Sequence, residues 1–170
     1  MNKILITVVV LLVIVVLGYY FINQPAEVPG QEVLNYSSPT LNFIYPADYK
    51  VKESSDGLVL TVPQEVPVNG EGPTAITVNT YDVASTTAIA DWVQQEPVSN
   101  FNLSIDGQLE IFPFGQYEAV TYTWDGLYRG DAVALSTGTK VYLFSVTYLD
   151  PSDEIRRHFY SLLETVDILE

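Results

Sequence analysis

Residues 117–149 read YEAVTYTWDGLYRGDAVALSTGTKVYLFSVTYL, and this stretch decides the fold of the chain. Three runs rich in Val, Tyr, Thr and Phe are separated by two short polar segments, which is typical of antiparallel strands joined by tight turns. Asp125-Gly126 suits a two-residue turn, and the STGT segment at residues 136–139 suits a four-residue turn. The stretch therefore predicts a three-stranded antiparallel meander.

The turns also predict a register, because the turn length fixes which residues face each other. Trp124 is expected to pair with Leu127, and Leu135 with Lys140. One face is then bulky and aromatic, carrying Val120, Tyr122, Trp124, Leu127, Val133, Tyr142, Phe144, Val146 and Tyr148. The other face is mostly small, and neither face is uniformly charged. We therefore expect other elements to cover the meander at least partly on both faces.

Upstream of the meander, further strand patterns alternate with turn signals. Asp56-Gly57 predicts a tight hairpin between two of these runs. Residues 63–73 contain three prolines and two glycines, which indicates a loop. This loop is the best candidate for a partner contact, and a disordered excursion is the equal alternative. The predicted strands are residues 41–46 (LNFIYP), 49–54 (YKVKES), 58–63 (LVLTVP), 75–81 (AITVNTY) and about 109–112.

Residues 85–96, STTAIADWVQQE, change to the helical period. Ile89, Trp92 and Val93 fall on one face of the predicted helix, and Pro97 ends it. The helix can be capped at its start by any of three hydroxyl side chains, Ser85, Thr86 or Thr87.

A second helix is predicted after the meander. Asp150 is a natural N-cap, and Pro151 suits the first helical position. The residues TVDIL at 165–169 indicate either a short final strand or an extended tail. The apolar stripe of this helix contains Ile155, Phe159, Leu162 and Leu163.

The chain resembles the PsbP-like family in the order of these elements and in three stretches of sequence. These stretches are LNFIYPADYKV, AITVNTY leading into TTAIADWV, and KVYLFSVTYLDPSDEIRRHFYSLLETVDIL. The resemblance covers about residues 39–170, and its closing phrase is a strand, a turn and an amphipathic helix followed by a serine or threonine, here Thr165. It implies an α+β fold, an α/β/α sandwich in which helices flank a central antiparallel sheet. Its opening phrase uses Phe43, Tyr45, Pro46, Tyr49 and Val51.

The resemblance implies little about activity, because its motifs are core and turn positions. Members are often exported or membrane-tethered. Photosynthetic members stabilise the oxygen-evolving complex of photosystem II, but no motif in this chain marks such docking, so that role is not carried over.

Residues Ile4–Ile22 read ILITVVVLLVIVVLGYYFI and contain no charged side chain. As a helix they reach about 28 Å, the thickness of the hydrocarbon core of a bilayer. No small-residue cleavage pattern follows, so an uncleaved anchor is predicted rather than a signal peptide. Lys3 before the span and the acidic flank after it place residues 1–3 in the cytoplasm and the remainder outside. Residues 23–38 are predicted to be a linker, and residues 39–170 the extracytoplasmic domain.

The charge balance excludes several partners. The chain has 21 acidic and 7 basic residues, a net charge of −14, which argues against binding to nucleic acid and to anionic lipid surfaces. The chain has no cysteine, so disulfides, thiol nucleophiles and cysteine-ligated metals are excluded.

Potential catalytic and metal-binding residues have simpler structural interpretations. His158 is the only histidine, and its position off the apolar stripe predicts a solvated residue of the last helix. Asp56, Asp106 and Asp125 each precede a glycine and are expected to form turns. No catalytic residue, cofactor site or metal site is predicted.

Two short motifs have similarly simple explanations. A calcium site built from Asp150, Asp153 and Glu154 is conceivable, but helix capping accounts for the same residues. The tripeptide Arg129-Gly130-Asp131 matches an integrin-recognition sequence. It falls within a predicted strand, so chance explains it better.

These observations predict a single-pass membrane protein that presents one PsbP-like domain outside the bacterial cytoplasm. Membrane lipid surrounds residues 4–22, and the domain is expected to act without catalysis as a binding or assembly module for another envelope protein or a small ligand. Two alternatives stay open. One is a hydrolase of envelope polymers that uses a carboxylate pair, and the other is a structural subunit of a membrane complex.

Overall fold

The computed structural model describes residues 32–55, 57–62, 74–84 and 87–169. Within these residues the chain forms ten strands, two α-helices and two short 3-10 helices. The strands are β1 (Val33–Ser37), β2 (Leu41–Pro46), β3 (Lys50–Ser54), β4 (Gly57–Thr61), β5 (Ala75–Asp82), β6 (Glu110–Phe114), β7 (Tyr117–Asp125), β8 (Arg129–Ser136), β9 (Lys140–Tyr148) and β10 (Asp167–Ile168). The α-helices are α1 (Ile89–Gln95) and α2 (Glu154–Leu163), and the 3-10 helices are Pro97–Ser99 and Phe101–Leu103.

The strands form two antiparallel sheets. The larger has seven strands in the order β3-β4-β5-β9-β8-β7-β6, and the smaller has three in the order β1-β2-β10. The predicted meander, β7-β8-β9, is confirmed within the larger sheet. The hairpin between β3 and β4 is also confirmed, although Gly57 pairs with Ser54 and so belongs to β4 rather than to the predicted turn.

Each face of the large sheet supports one helix. Helix α2 buries the predicted stripe, including Phe159 and Leu162, against aromatic residues of β9 such as Tyr142 and Phe144. Strand β2 contributes Phe43 to the same core. Helix α1 buries Ile89, Trp92 and Val93 on the opposite face, as its spacing predicts. The α+β architecture, with helices on both sides of an antiparallel sheet, is therefore confirmed.

The predicted register between β7 and β8 is wrong. Trp124 pairs with Gly130 rather than with Leu127, because the connection has three residues, Gly126 to Tyr128, instead of two. An odd shift turns every side chain of one strand to the other face relative to its neighbour. Tyr122 and Trp124 therefore pack with the α1 layer and not with the aromatic residues of β9.

The register between β8 and β9 differs from the prediction by an even step. Leu135 pairs with Tyr142 rather than with Lys140. An even shift preserves the face on which each residue lies. The prediction that Val133, Tyr142 and Phe144 share a face is consequently confirmed.

The predicted linker at residues 23–38 overlaps the folded domain. Residues 33–37 form β1, which pairs along its whole length with β2. The alternation of Val33, Leu34 and Tyr36 among polar residues is too short to be recognised as a strand before its partner is known. The final segment forms the short strand β10, so the strand alternative for residues 165–169 is confirmed at Asp167 and Ile168.

Both helix starts differ from their predictions. Helix α1 has Ala88 at its N-cap and no side-chain capping bond, and residues 85 and 86 lie outside the described residues. Helix α2 begins at Glu154, one turn later than Asp150 and Pro151 suggest. Asp150 and Asp153 instead bind backbone amides within the preceding turn, which is the alternative that such side chains offer to a helix.

No helix among the described residues is long and apolar enough to cross a bilayer. The predicted anchor at Ile4–Ile22 and the loop at residues 63–73 lie outside those residues.

Candidate functional site

A groove of about 640 Å³ lies in the described part of the chain, between the β6–β7 turn and the segment that follows α2. We call it the edge groove, because β6 and β10 are each the outermost strand of their sheet among the described residues. Its lining comprises Pro113, Phe114, Gly115, Gln116, Tyr117, Leu163, Glu164, Val166, Asp167 and Ile168.

The edge groove combines an apolar lining with acidic charge. Phe114, Val166 and Ile168 are partly buried against the core, so they are held in place but still border the open space. Glu164 and Asp167 are exposed, and the lining contains no Lys or Arg. An extended segment that carries apolar and basic side chains would match both properties.

Hydrogen bonds hold the C-terminal wall of the groove. The hydroxyl of Thr165 donates to the carbonyl of Leu162 at 2.8 Å and accepts the amide of Ile44 at 2.9 Å. The amide of Leu169 donates to the carbonyl of Thr40 at 3.0 Å. These bonds attach the end of α2 and β10 to β2, so the wall is fixed by the small sheet.

Gly115 explains how the chain turns at the other wall. Its φ of 61° lies in the left-handed region, which glycine adopts without strain. The next side chain, Gln116, donates from Nε2 to the hydroxyl of Tyr117 at 3.0 Å. Polar groups that can hydrogen-bond a ligand thus lie at the mouth of the groove.

A second polar site lies beneath α2, where the sheet carries a buried carboxylate. Asp131 of β8 is 1% exposed. Its Oδ2 accepts the Nε–H of Arg156 at 2.6 Å and the hydroxyl of Tyr160 at 2.9 Å, and its Oδ1 accepts the hydroxyl of Tyr148 at 2.9 Å. We call these four residues the Asp131 cluster.

The electrostatics of the Asp131 cluster follow from burial. Burial, and after it the neighbouring Asp131 carboxylate, raises the pKa of Tyr148 and of Tyr160 to about 12. The hydrogen bond from Arg156 to Asp131 raises the pKa of the guanidinium. Both phenols therefore stay protonated at neutral pH and serve as hydrogen-bond donors. The cluster fastens α2 to the sheet and has no free carboxylate oxygen for acid–base chemistry.

Asp131 therefore has a structural role in the folded domain. Arg129 and Gly130 begin β8, and Asp131 is enclosed, so the Arg-Gly-Asp tripeptide is not displayed as a unit on a loop. The sequence carries a signal for this cluster, namely a charged residue inside the otherwise small and apolar run GDAVAL. A buried strand tolerates a charge only when it is paired.

The prediction that His158 is solvated is wrong. It is 6% exposed, and a hydrogen bond of 3.0 Å joins its Nδ1 to the hydroxyl of Tyr49. Glu154 and Arg157 lie on its exposed side, with Glu154 Oε1 3.7 Å from Nε2. Tyr49 lies in the connection between β2 and β3, and the helical period of α2 cannot reveal that this segment covers the imidazole.

Burial lowers the pKa of His158, while the nearby Glu154 and Asp48 carboxylates oppose that shift and Arg157 reinforces it. The unfolded chain therefore takes up a proton near the ordinary histidine pKa of about 6.5, at a pH where the folded chain does not. We expect the free energy of unfolding to be highest above the ordinary histidine pKa and to fall as the pH drops from 7 toward 5.5. Denaturant titrations at several pH values measure the effect.

His158→Gln is the matched variant, because glutamine can hydrogen-bond Tyr49 but does not titrate. It should flatten the pH dependence between 7 and 5.5, since His158 is the only histidine in the chain. An equally steep loss of stability in this variant would contradict the assignment.

The other candidate carboxylates that the structure describes occupy turns and surface ion pairs, while Asp56 lies outside the described residues. Asp106 accepts the amide of Gln108, and Asp125 forms an ion pair with Arg129 at 3.6 Å. Asp153 accepts the amides of Leu149 and Asp150. Within the described residues, no group of three His, Cys, Asp or Glu side chains is arranged to hold a metal ion.

The fold places the described residues in a recognisable class, a sheet-dominated α+β domain of the PsbP type. The structure is similar to the solution structure of cyanobacterial PsbP (CyanoP) from Synechocystis sp. PCC 6803, with a TM-score of 0.59, 12% identity, and coverage of 84% of this chain and 96% of that chain. It is also similar to a crystal structure from Bacteroides thetaiotaomicron VPI-5482, with a TM-score of 0.56 and 10% identity over 80% of this chain and 48% of that chain.

These similarities confirm the PsbP-like fold, and at such identities they concern the fold alone. No protein-family model matches the sequence, and no curated protein is significantly similar to it.

Proposed function

We propose that this protein is a membrane-tethered binding or assembly module that works outside the cytoplasm without catalysis, and that its edge groove receives an extended segment of another envelope protein. The observation that carries the proposal is the groove itself. It is open, it has an apolar lining with two carboxylates, and it lies between two edge strands. Edge strands offer backbone groups to an added strand, and pockets beside them select side chains.

The charges of the groove favour a basic partner over a small anionic ligand. Glu164 and Asp167 have no cationic residue beside them in the lining, and the whole chain carries a net charge of −14. Opposite charges at an interface accelerate association and exclude partners of like charge.

The tether in this proposal is the uncharged segment Ile4–Ile22, with residues 1–3 in the cytoplasm. Its support is the length of the apolar run and the lysine before it. The alternative of a hydrolase has no specific observation in its favour. The Asp131 carboxylate, which is buried, is fully engaged by Arg156 and two tyrosines.

Site-specific photocrosslinking in intact membranes tests the proposal. A photoreactive residue at Gln116, in the groove, should capture one defined partner. The same residue at Gln94, which is exposed on α1 and distant from the groove in sequence and sheet face, is the matched control and should not. Mass spectrometry of the captured product identifies the partner segment.

Charge reversal sharpens the test. Glu164→Lys combined with Asp167→Lys should reduce capture at Gln116 roughly tenfold, which corresponds to about 1.4 kcal/mol of binding free energy. Glu96→Lys reverses an exposed charge outside the lining and should leave capture unchanged. Equal capture at both positions, or capture insensitive to the groove charges, would contradict the proposal.

A further inference from the structure

Four large apolar side chains lie exposed at one end of the large sheet. Leu127 is 76% exposed, Ile105 and Leu149 are each 63% exposed, and Leu103 is 41% exposed. We call these four residues the apolar tip. Single exposed leucines are common in soluble proteins, but a group of them at one place marks an interaction surface.

The backbone brings the tip residues together. The Leu103 side chain lies beside the β7–β8 turn, where a Cβ at Gly126 would be 3.3 Å from its Cδ1. Ile105 donates its amide to the carbonyl of Thr123, near the end of β7, at 3.4 Å. Leu149 directly follows β9, whose last residue pairs with the first residue of β8.

The described chain begins at the same end of the sheet. One row of paired residues crosses six strands and consists of Val51, Leu60, Ile76, Val146, Asp131 and Thr123. On the tip side of this row, the chain before Val51 leads back to Ala47, whose amide donates to the carbonyl of Glu32 at 2.9 Å. Glu32 therefore lies toward the end of the sheet that carries Leu127 and Leu149.

The length of chain before Glu32 limits how far this end can lie from the predicted anchor. Residues 23–31 separate Ile22 from Glu32, and nine residues span at most about 32 Å when fully extended. Seven strands are about 29 Å wide. The tip therefore lies at the end of the sheet where the described chain begins, and a link of this length allows that end to reach the bilayer.

We propose that the apolar tip contacts the lipid surface of the membrane in which the chain is anchored. The inference rests on the anchoring in the proposed function and adds an orientation to it. The tip residues enter the interfacial layer, where apolar side chains gain free energy by leaving water.

The flanking charges specify the kind of lipid. Asp106, Asp125 and Asp150 border the tip, and Arg129 is paired with Asp125. An acidic border is repelled by anionic headgroups, so the contact should be strongest on zwitterionic lipid.

The orientation has a consequence for the edge groove. The β6–β7 turn, which forms one wall of the groove, lies at the opposite end of β7 from the tip. With the tip on the lipid, the groove faces away from the membrane and is accessible to a partner outside it.

The experiment exploits the absence of cysteine from the chain. Leu127→Cys in the full chain carries an environment-sensitive fluorophore, and the protein is reconstituted into phosphatidylcholine vesicles that contain a headgroup-region nitroxide lipid. Thr139→Cys, exposed in the turn between β8 and β9 at the far end of the sheet, is the matched control. We expect several-fold stronger quenching at position 127 than at 139, and weaker quenching at 127 when phosphatidylglycerol replaces half of the lipid.

A second variant tests whether the contact is cooperative. Leu149→Asp should reduce quenching of the fluorophore at position 127, while Thr137→Asp at the far end should not. Leu149 is exposed, and Thr137 is half-buried in the turn between β8 and β9, so the tryptophan fluorescence of both variants is compared with that of the parent protein to verify folding.

Three outcomes would overturn the inference. Equal quenching at 127 and 139 in protein that floats with the vesicles would reject the lipid contact and leave the anchor intact. Protein that does not float would reject the anchor and the inference together. Quenching at 127 that is unchanged by Leu149→Asp would show that the label alone, and not the apolar tip, contacts the lipid.

Discussion

Asp131→Asn should lower the free energy of unfolding by about 3 kcal/mol, the lower end of the cost of breaking a buried ion pair. The side chain of Arg156 is 31% exposed and can recover some hydration, which keeps the effect from being larger. Asparagine has nearly the same volume, so no cavity is created. However, its amide places N–H donors against the donors of Arg156, Tyr148 or Tyr160.

Denaturation of the full chain in mild detergent measures this loss. The chain has two tryptophans, Trp92 and Trp124, and both are buried in the described domain, so their fluorescence reports its unfolding. Tyr160→Phe removes one hydrogen bond from the same cluster and should cost about 1 kcal/mol.

Asp125→Asn is the matched control for the charge change. The ion pair between Asp125 and Arg129 is half exposed on both sides and 3.6 Å long, so its removal should cost no more than about 1 kcal/mol. If Asp131→Asn were as mild as this control, the cluster would not be what fastens α2 to the sheet.

Gly130→Ala should be the next most damaging of these changes, with a loss of about 1–3 kcal/mol from overpacking. The indole of Trp124 covers Gly130 on the neighbouring strand, and a Cβ at position 130 would be 2.3 Å from two of its ring carbons. The indole must move for the methyl group to fit. We expect a lower denaturation midpoint and an altered emission maximum of the native protein.

Gly126→Ala is the matched control for this substitution. It lies in the adjacent turn, and its new Cβ would be 3.3 Å from the flexible end of Leu103 and 3.7 Å from Trp124. Only a small adjustment of the leucine is needed, so stability should hardly change. A similar loss in both variants would show that the turn, and not the contact with the indole, is the sensitive feature.

The local patterns of the sequence predicted much of the fold. The β-branched and aromatic runs mark β2, β5, β7 and β9, and the four-residue spacing from Ile155 to Phe159 marks the buried side of α2. These predictions succeeded because each depends on the period of one segment against a single buried face. The strand β1 was missed, since a short edge strand gains its stability from a partner elsewhere in the chain.

The candidate site was much less predictable. The edge groove is lined by the β6–β7 turn and by residues 163–168, which are about 50 positions apart in the chain. No motif in either segment predicts that the two lie side by side. His158 illustrates the same difficulty. Its burial depends on Tyr49, 109 residues away, so its position on the helix alone gave the wrong environment.

The sequence by itself determined which segments form most of the helices and strands, the acidic charge, and the apolar run at Ile4–Ile22. Periodicity and composition are properties of neighbouring residues, so they can be read without the tertiary structure. The tertiary structure alone decided the face on which Trp124 packs, the enclosure of Asp131 by Arg156, and the position of the groove. Each of these depends on a register or a contact between distant segments. A turn longer by one residue, Gly126 to Tyr128, was enough to exchange the two faces of β7.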